Sequence, residues 1–246
     1  MKKQKTIMGM PVIVNVADKN VTGEDISEVF SYLHYIDEKF STYKKNSEIS
    51  RINRRQLKEK DYSNDMKKIF FLSFKTKKET DGYFDINFNG VLDPSGIVKG
   101  YAINQAAKIL KNKGFKNFYV EIAGDIEVCG KNNNKEWKVG IQNPFNQKEI
   151  IKIVHLTNRG IATSGTYIRG LHIYNPKKQK KAADIASISV IGPNVYEADR
   201  FATAAFAMGE SGIEFISHLK GFEGYMIKKN KTAIYTKGFK YYVKSN

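Results

Sequence analysis

The chain has little to staple, tether or anchor it. Its one cysteine, Cys129, excludes an intramolecular disulfide. Cys129 falls in a strand-like stretch and reads as a small buried apolar residue. There are five prolines in 246 residues, and no Pro/Ser/Gly-rich stretch divides the chain. Internal repeats and low-complexity tracts are lacking too, so one unit over 1–246 is expected. No apolar run is long enough to span a bilayer. The start, Met1-Lys-Lys-Gln-Lys, is basic but lacks the apolar core of a signal peptide. The expected location is cytoplasmic, or extracytoplasmic if a leader has been removed.

Acidic residues are also scarce. Asp plus Glu number 25 against 41 Lys plus Arg, a net charge of +16. Most of the cations are Lys, spread along the chain. A nucleic-acid face would gather Arg and aromatics in a patch, so nucleic acid is not an expected partner. The Lys-rich surface can instead attract an anionic cofactor and an acidic partner. Adsorption to an anionic membrane finds no amphipathic basic helix behind it.

Helical and strand patterns alternate throughout, which gives an α+β fold. Ile26, Val29, Phe30, Leu33, Ile36 and Phe40 repeat at helical spacing behind a Thr22/Asp25 capping pair. Tyr43 follows that helix. Gly96-Ile-Val-Lys99-Gly100-Tyr101 reads as a Gly-bracketed turn entering a helix that carries Ala102, Ile103, Ala106, Ala107 and Leu110 and closes at Gly114. Such a turn offers backbone N–H groups to an anion, although its spacing is not that of a P-loop. Asp81-Gly82 is a turn before Tyr83-Phe84-Asp85 and a short strand with Ile86 and Phe88. Lys131-Asn-Asn-Asn-Lys135 reads as a hairpin loop between Val128 and Trp137.

The segment richest in chemistry is Glu197-Ala-Asp199-Arg-Phe-Ala-Thr203. Asn194 and Glu197 form a capping-box-like pair at the start of a helix that stops at Gly209. Asp199 and Thr203, four apart, share one face of it. A carboxylate and a hydroxyl so placed can share a hard cation through oxygen. The alternative is a first-turn Asp favoured by the helix dipole and a Thr bonded to its own i−4 carbonyl.

Further blocks accompany it in a fixed order. They are Met8-Gly9-Met10; Phe40-Ser-Thr-Tyr43 through Asn53; Asp81-Gly82-Tyr83-Phe84-Asp85-Ile86; Asp93-Pro-Ser95-Gly96-Ile-Val98-Lys99-Gly100-Tyr101-Ala102; Glu121-Ile-Ala123-Gly124-Asp125; and Thr163-Ser164-Gly165-Thr-Tyr167 followed by His172-Ile173-Tyr174-Asn175-Pro176. From about residue 8 to about residue 210 the chain resembles the ApbE family, the FAD:protein FMN transferases. The resemblance implies a compact α+β domain with mixed or antiparallel sheets and packed helices. It implies an enzyme that binds FAD as substrate with Mg²⁺, moves the FMN half onto a Thr or Ser hydroxyl of an acceptor protein, and releases AMP.

By the same resemblance, Asp199, Thr203 and the backbone oxygen of Val98 are the Mg²⁺ ligands. Met8, Tyr43, Tyr83, Phe84, Asp85, Ser95, Tyr101 and Ile173 contact the cofactor, and His172 is the general base. A base is needed because a Thr hydroxyl is a poor nucleophile until its proton is accepted. Asp85 and Asp125 are alternative bases. His34, His155 and His218 fit less well, lying on an exposed helix face, in a strand and at a helix end. FAD hydrolysis to FMN and AMP, non-catalytic FAD binding and nucleic-acid binding remain as rival functions. The chain departs from the family pattern at Met10, where a Thr is usual, and at Ala123, Asn104, Asn175 and Lys177-Lys178.

Overall fold

The computed structural model describes residues 1–166 and 173–244. The chain opens with a hairpin, β1 (Lys2–Ile7) and β2 (Met10–Val16), whose Met8-Gly9 turn has both residues at positive φ. Helix α1 (Gly23–Phe40) follows. Thr22 and Asp25 form the expected reciprocal capping box, and all six apolar positions named above are buried. Next come α2 (Glu48–Asn53), α3 (Asn64–Glu79), and the short strands β3 (Asn87–Phe88) and β4 (Val91–Leu92) around an Asn89-Gly90 turn.

Helix α4 (Ser95–Asn112) starts earlier than its sequence suggests. The expected turn at Gly96–Tyr101 is already helical. Asp93 and Pro94 make the turn instead, with the Asp93 carboxylate accepting the Ser95 N–H at 2.9 Å. Proline is tolerated there because a helix's first N–H groups lack intrahelical partners. Strands β5 (Phe118–Ile122), β6 (Asp125–Cys129), β7 (Trp137–Asn143), β8 (Asn146–Leu156) and β9 (Arg159–Gly165) follow. After them come β10 (Tyr174–Asn175), β11 (Lys180–Lys181) and β12 (Ile185–Gly192), then α5 (Val195–Met208), α6 (Gly212–Ser217), β13 (Glu223–Lys228) and β14 (Ala233–Tyr235).

Eight strands form one sheet in the order β1-β2-β5-β6-β9-β12-β13-β14, every neighbouring pair antiparallel. Side chains alternate across a strand, so each strand feeds two layers. Val12, Val14, Phe118, Val120 and Ile122 meet α1 and α4 on one face, and Ile188, Val190 and Met226 meet α5. On the other face Ile126, Val128, Ile161, Ile191 and Tyr225 pack against the β7–β8 hairpin and Phe239. The loop at 131–135 is therefore not the expected hairpin between β6 and its sequel. It carries the chain from the main sheet to β7, which among the described residues pairs only with β8, while Trp137 ties back through its indole N–H to the Cys129 carbonyl at 3.1 Å. Cys129 is half-buried in β6, and burial raises its thiol pKa. Among the described residues no helix is long and apolar enough to cross a membrane.

Candidate active site

Helices α4 and α5 cross with a seam of small residues between them. A Cβ at Gly100 would lie 2.6 Å from the Asp199 Cβ, and one at Gly96 would lie 3.2 Å from Thr203 Cγ2. Gly96 and Gly100 are themselves one turn apart, so each faces one member of the Asp199/Thr203 pair. The Gly100 N–H donates to Asp199 Oδ2 at 2.7 Å, and Thr203 Oγ1 reaches the Gly96 carbonyl at 3.5 Å. Thr203 thus bonds across to α4 rather than back to its own i−4 carbonyl.

Helix α5 is seated firmly. Asn194 caps it, but Glu197 does not reach back as a capping box would, because its carboxylate is taken by Arg200. Glu127, buried on β6, accepts the Val195 N–H at 2.5 Å, and its negative charge suits the helix's positive end. Burial raises the Glu127 pKa.

Asp199 is 4 % exposed. Burial, reinforced by the nearby Asp125 carboxylate and opposed by Lys99, pushes its pKa up to about 7. Lys99, from α4, sits between the two acids, 2.6 Å from Asp125 Oδ2 and 4.0 Å from Asp199 Oδ1. Asp125 in turn accepts the Thr163 N–H at 3.0 Å. The donors round the Asp199 pole are all oxygen: a carboxylate, a hydroxyl and the Gly96 carbonyl. That set suits a hard cation such as Mg²⁺.

This pole lies at one side of a cavity of about 320 Å³. Tyr83, Phe84, Asp85, Ser95, Ile173, Asp199 and Thr203 all line it, seven of the residues singled out in the sequence. Its remaining wall includes Met10, Phe88, Lys99, Thr163 and Tyr174. Phe88, at the β3–β4 tip, meets Tyr174 edge-on with ring centroids 4.3 Å apart. The cavity is apolar over much of its wall, with a charged and hydroxyl-bearing pole, the usual composition of a cofactor pocket.

Four of the named residues stand elsewhere. Tyr43 is 97 % exposed at the end of α1 and is not in the cavity wall. Met8, in the β1–β2 turn, packs on the core, and it is Met10 that reaches the cavity. Tyr101 turns away towards Tyr196, whose ring it meets edge-on, because one residue along a helix rotates the side chain by about 100°. The Val98 side chain is buried in the core, and the carbonyl that Thr203 meets is that of Gly96. His172 and Tyr167 lie outside the described residues. Both alternative bases are engaged: Asp85 is 2.6 Å from Lys77, and Asp125 is held by Lys99. The Lys99–Asp125 bridge was not anticipated from sequence, since its members lie on different elements 26 residues apart.

A second cavity of about 660 Å³ runs between the β7–β8 hairpin and the outer face of the main sheet. Ala123 and Thr163 line both cavities, so the β5–β6 turn is the sill between them.

A family model for the ApbE family matches residues 8–91 and 89–226. The chain belongs to the ApbE family. A curated relative from Haemophilus influenzae, named FAD:protein FMN transferase, is 25 % identical over 276 residues, covering 85 % of this chain and 80 % of the relative. One of the same name from Klebsiella pneumoniae is 29 % identical over 149 residues, which is 56 % of this chain and 43 % of that protein. The crystal structure of the ApbE protein from Thermotoga maritima superposes with a TM-score of 0.88 at 21 % identity, covering 100 % of this chain and 99 % of that one. The α+β fold read from the sequence is therefore the ApbE fold.

Proposed function

We propose that this chain transfers FMN from FAD to a Thr or Ser hydroxyl of an acceptor protein and releases AMP. Family membership and the relatives' names support this reading. The observation that carries it is the shape of the first cavity: an aromatic wall from Tyr83, Phe84, Phe88 and Tyr174 beside the pole of Asp199, Thr203, Ser95 and Lys99. The wall suits a flavin ring system and the pole suits a diphosphate. Phosphoryl transfer from a diphosphate asks the protein chiefly for positioning and charge neutralisation.

Mg²⁺ fits the oxygen-rich pole, where Asp199, Thr203 and a backbone carbonyl at the start of α4 would hold it. Bound there, it would neutralise phosphoryl charge and orient the leaving group. Lys99 adds a positive charge from the protein itself. The α4–α5 seam fixes the carboxylate and hydroxyl on adjacent turns, so neither must be reorganised when FAD binds. His172 remains the candidate general base. Asp85 and Asp125 suit that role less well, since each is already paired with a lysine.

The acceptor side is the second cavity. It is lined by every residue from Trp137 to Gln142. Side chains of a strand alternate, so what six consecutive residues share is their backbone edge. No strand pairs with that edge of β7 among the described residues. We infer that an extended segment of the acceptor lies along it by strand addition and passes its hydroxyl over the Ala123–Gly124 sill. Incubation with FAD, Mg²⁺ and a nonapeptide library bearing a central Thr tests the activity. Peptide carrying FMN, with AMP in equal amount, is the expected result. AMP and free FMN alone would mean hydrolysis, and intact FAD would mean a binding protein.

A further inference from the structure

Helix α3 presents an outward face that no part of the described chain covers. Its inward positions Met66, Ile69, Ser73 and Thr76 are buried, and Phe70 and Leu72 lean on the core. Phe71 and Phe74 point the other way and are 61 % and 70 % exposed. Lys67, Lys68, Lys75 and Lys78 are exposed around them. At about 100° per residue these six side chains share an arc of roughly 120°. The acids of α3 fall to one side of that arc and have partners of their own. Asp65 is bonded by Tyr35 and lies 3.7 Å from Lys39, while Glu79 pairs with Arg200 and with Lys75. No basic amphipathic helix was expected here, since Ile69, Phe70, Phe71, Leu72 and Phe74 are all apolar and crowd one short stretch. Only the fold shows which of them are left outside.

Single exposed apolar residues are ordinary on a protein surface. Two phenylalanines one turn apart, with four lysines about them and no acid in the arc, are a different object. We propose that this face docks the protein on an anionic lipid surface. The rings would enter the headgroup–acyl boundary, and the lysine stems would lie along them while their ammonium groups reach the phosphates. The charge is complementary: each lysine near an anionic leaflet adds attraction, and the chain as a whole carries +16. A nucleic acid would also attract the lysines but gains little from two unflanked phenylalanines. A purely electrostatic contact would not need them either. Helix α3 runs into the Tyr83–Asp85 segment of the cavity wall, so docking through it leaves the cavity close to the bilayer.

Co-sedimentation of the full chain with vesicles tests this. The probes are phosphatidylcholine alone and phosphatidylcholine with about a third phosphatidylglycerol, at low and high salt. Binding to the mixed vesicles, absent from the neutral ones and weakened by salt, is expected. Phe71→Ser with Phe74→Ser should weaken it at least tenfold. Lys67, Lys68, Lys75 and Lys78→Gln together should do the same. Both variants should keep the wild-type circular dichroism and FAD turnover in solution, since none of these residues lines the cavity. A control set, Lys148, Lys220, Lys229 and Lys240→Gln, removes the same charge from other exposed positions and should weaken binding far less. The proposal fails if wild type ignores anionic vesicles at low salt. It fails if the Phe pair can be replaced without loss, or if the control set weakens binding as much as the α3 set, since either result means adsorption by net charge alone. It fails too if the Phe variant instead abolishes self-association seen by sedimentation without vesicles, which would make the face a contact between copies.

Discussion

The Gly100 N–H points straight at the Asp199 carboxylate, 2.7 Å away, and nothing larger than hydrogen fits on the Gly100 Cα. An added Cβ would meet Asp199 Cβ at 2.6 Å and the Val195 carbonyl oxygen at 2.9 Å. Both belong to α5, and the second is backbone, so neither can swing aside. Gly100→Ala should therefore push α4 and α5 apart. An overpacked core costs about 1–3 kcal/mol, and a similar loss is expected here by urea denaturation. Because the shift separates Asp199 from Gly100, Mg²⁺-dependent AMP release should fall more than the stability loss explains. Unchanged stability and turnover would show that the seam is looser than its distances imply.

Asp199 gives the unliganded protein an unusual pH response. Its pKa rises on folding from the ordinary carboxylate range to about 7, mainly through burial. Below the unfolded value both states hold the proton, and the folded state is not penalised. As pH rises from about 4 to about 7 the unfolded chain releases its proton first, so this group's contribution shifts against folding, by at most about 4 kcal/mol. Asp199→Asn keeps an acceptor for the Gly100 N–H and removes the titration. Denaturation at pH 5 and pH 7.5 should show a smaller drop for Asp199→Asn than for wild type. The same variant should lose AMP release, and its melting temperature should no longer respond to MgCl₂. A drop as steep as wild type would mean that another buried acid carries it.

Much of this site was legible in the sequence because it depends on spacing within one element. Asp199 and Thr203 declare a shared face by being four apart, and Tyr83-Phe84-Asp85 and Ser95 came with motifs that keep their place in the cavity. What was hidden depends on contacts between elements. Nothing in the string tells Lys99 that Asp125 lies beside it, because a β-strand from another part of the chain brings it there. Tyr101 stands outside the first cavity for a related reason. Once Gly96–Tyr101 is helix and not turn, its direction follows from the helical rotation and leads away from the cavity. The edge of β7 was invisible because the loop at 131–135 looks like a hairpin whichever strand follows it.

Arg200, next to Asp199 in sequence, serves the scaffold. It is 3 % exposed, bonds Glu197 at 2.8 Å through Nε, pairs also with Glu79 of α3, and lies 3.9 Å over the Phe201 ring. Removing one partner of a buried ion pair leaves the other charges uncompensated, at about 3–5 kcal/mol. Since Glu197 and Glu79 are partly exposed, Arg200→Met should cost about 2–3 kcal/mol, measured by chemical denaturation. The variant that still folds should retain FAD affinity. Loss of FAD binding at full stability would move Arg200 into the site.

The inferred acceptor groove makes a separable prediction through Ile153. This residue sits on β8 opposite Gly140, is 49 % exposed, and lines the second cavity but not the first. Its neighbour Ile150, also half-exposed, lines the same cavity and lays its side chain over Gly140 of β7, where an added Cβ would meet it at 2.9 Å. An acceptor segment along the open edge of β7 would extend side chains over Gly140 onto this apolar strip. Ile153→Asp puts a charge where the segment must be desolvated, and loss of an apolar contact of this size is worth about tenfold or more in discrimination. The KM for peptide acceptor should rise by about that factor. Release of AMP from FAD with water as acceptor should stay within about twofold, because the first cavity is untouched. An acceptor KM that does not move, with peptide flavinylation intact, would place the acceptor elsewhere while leaving the transferase reading standing. Absence of any flavinylated peptide with the wild-type protein would instead remove that reading itself.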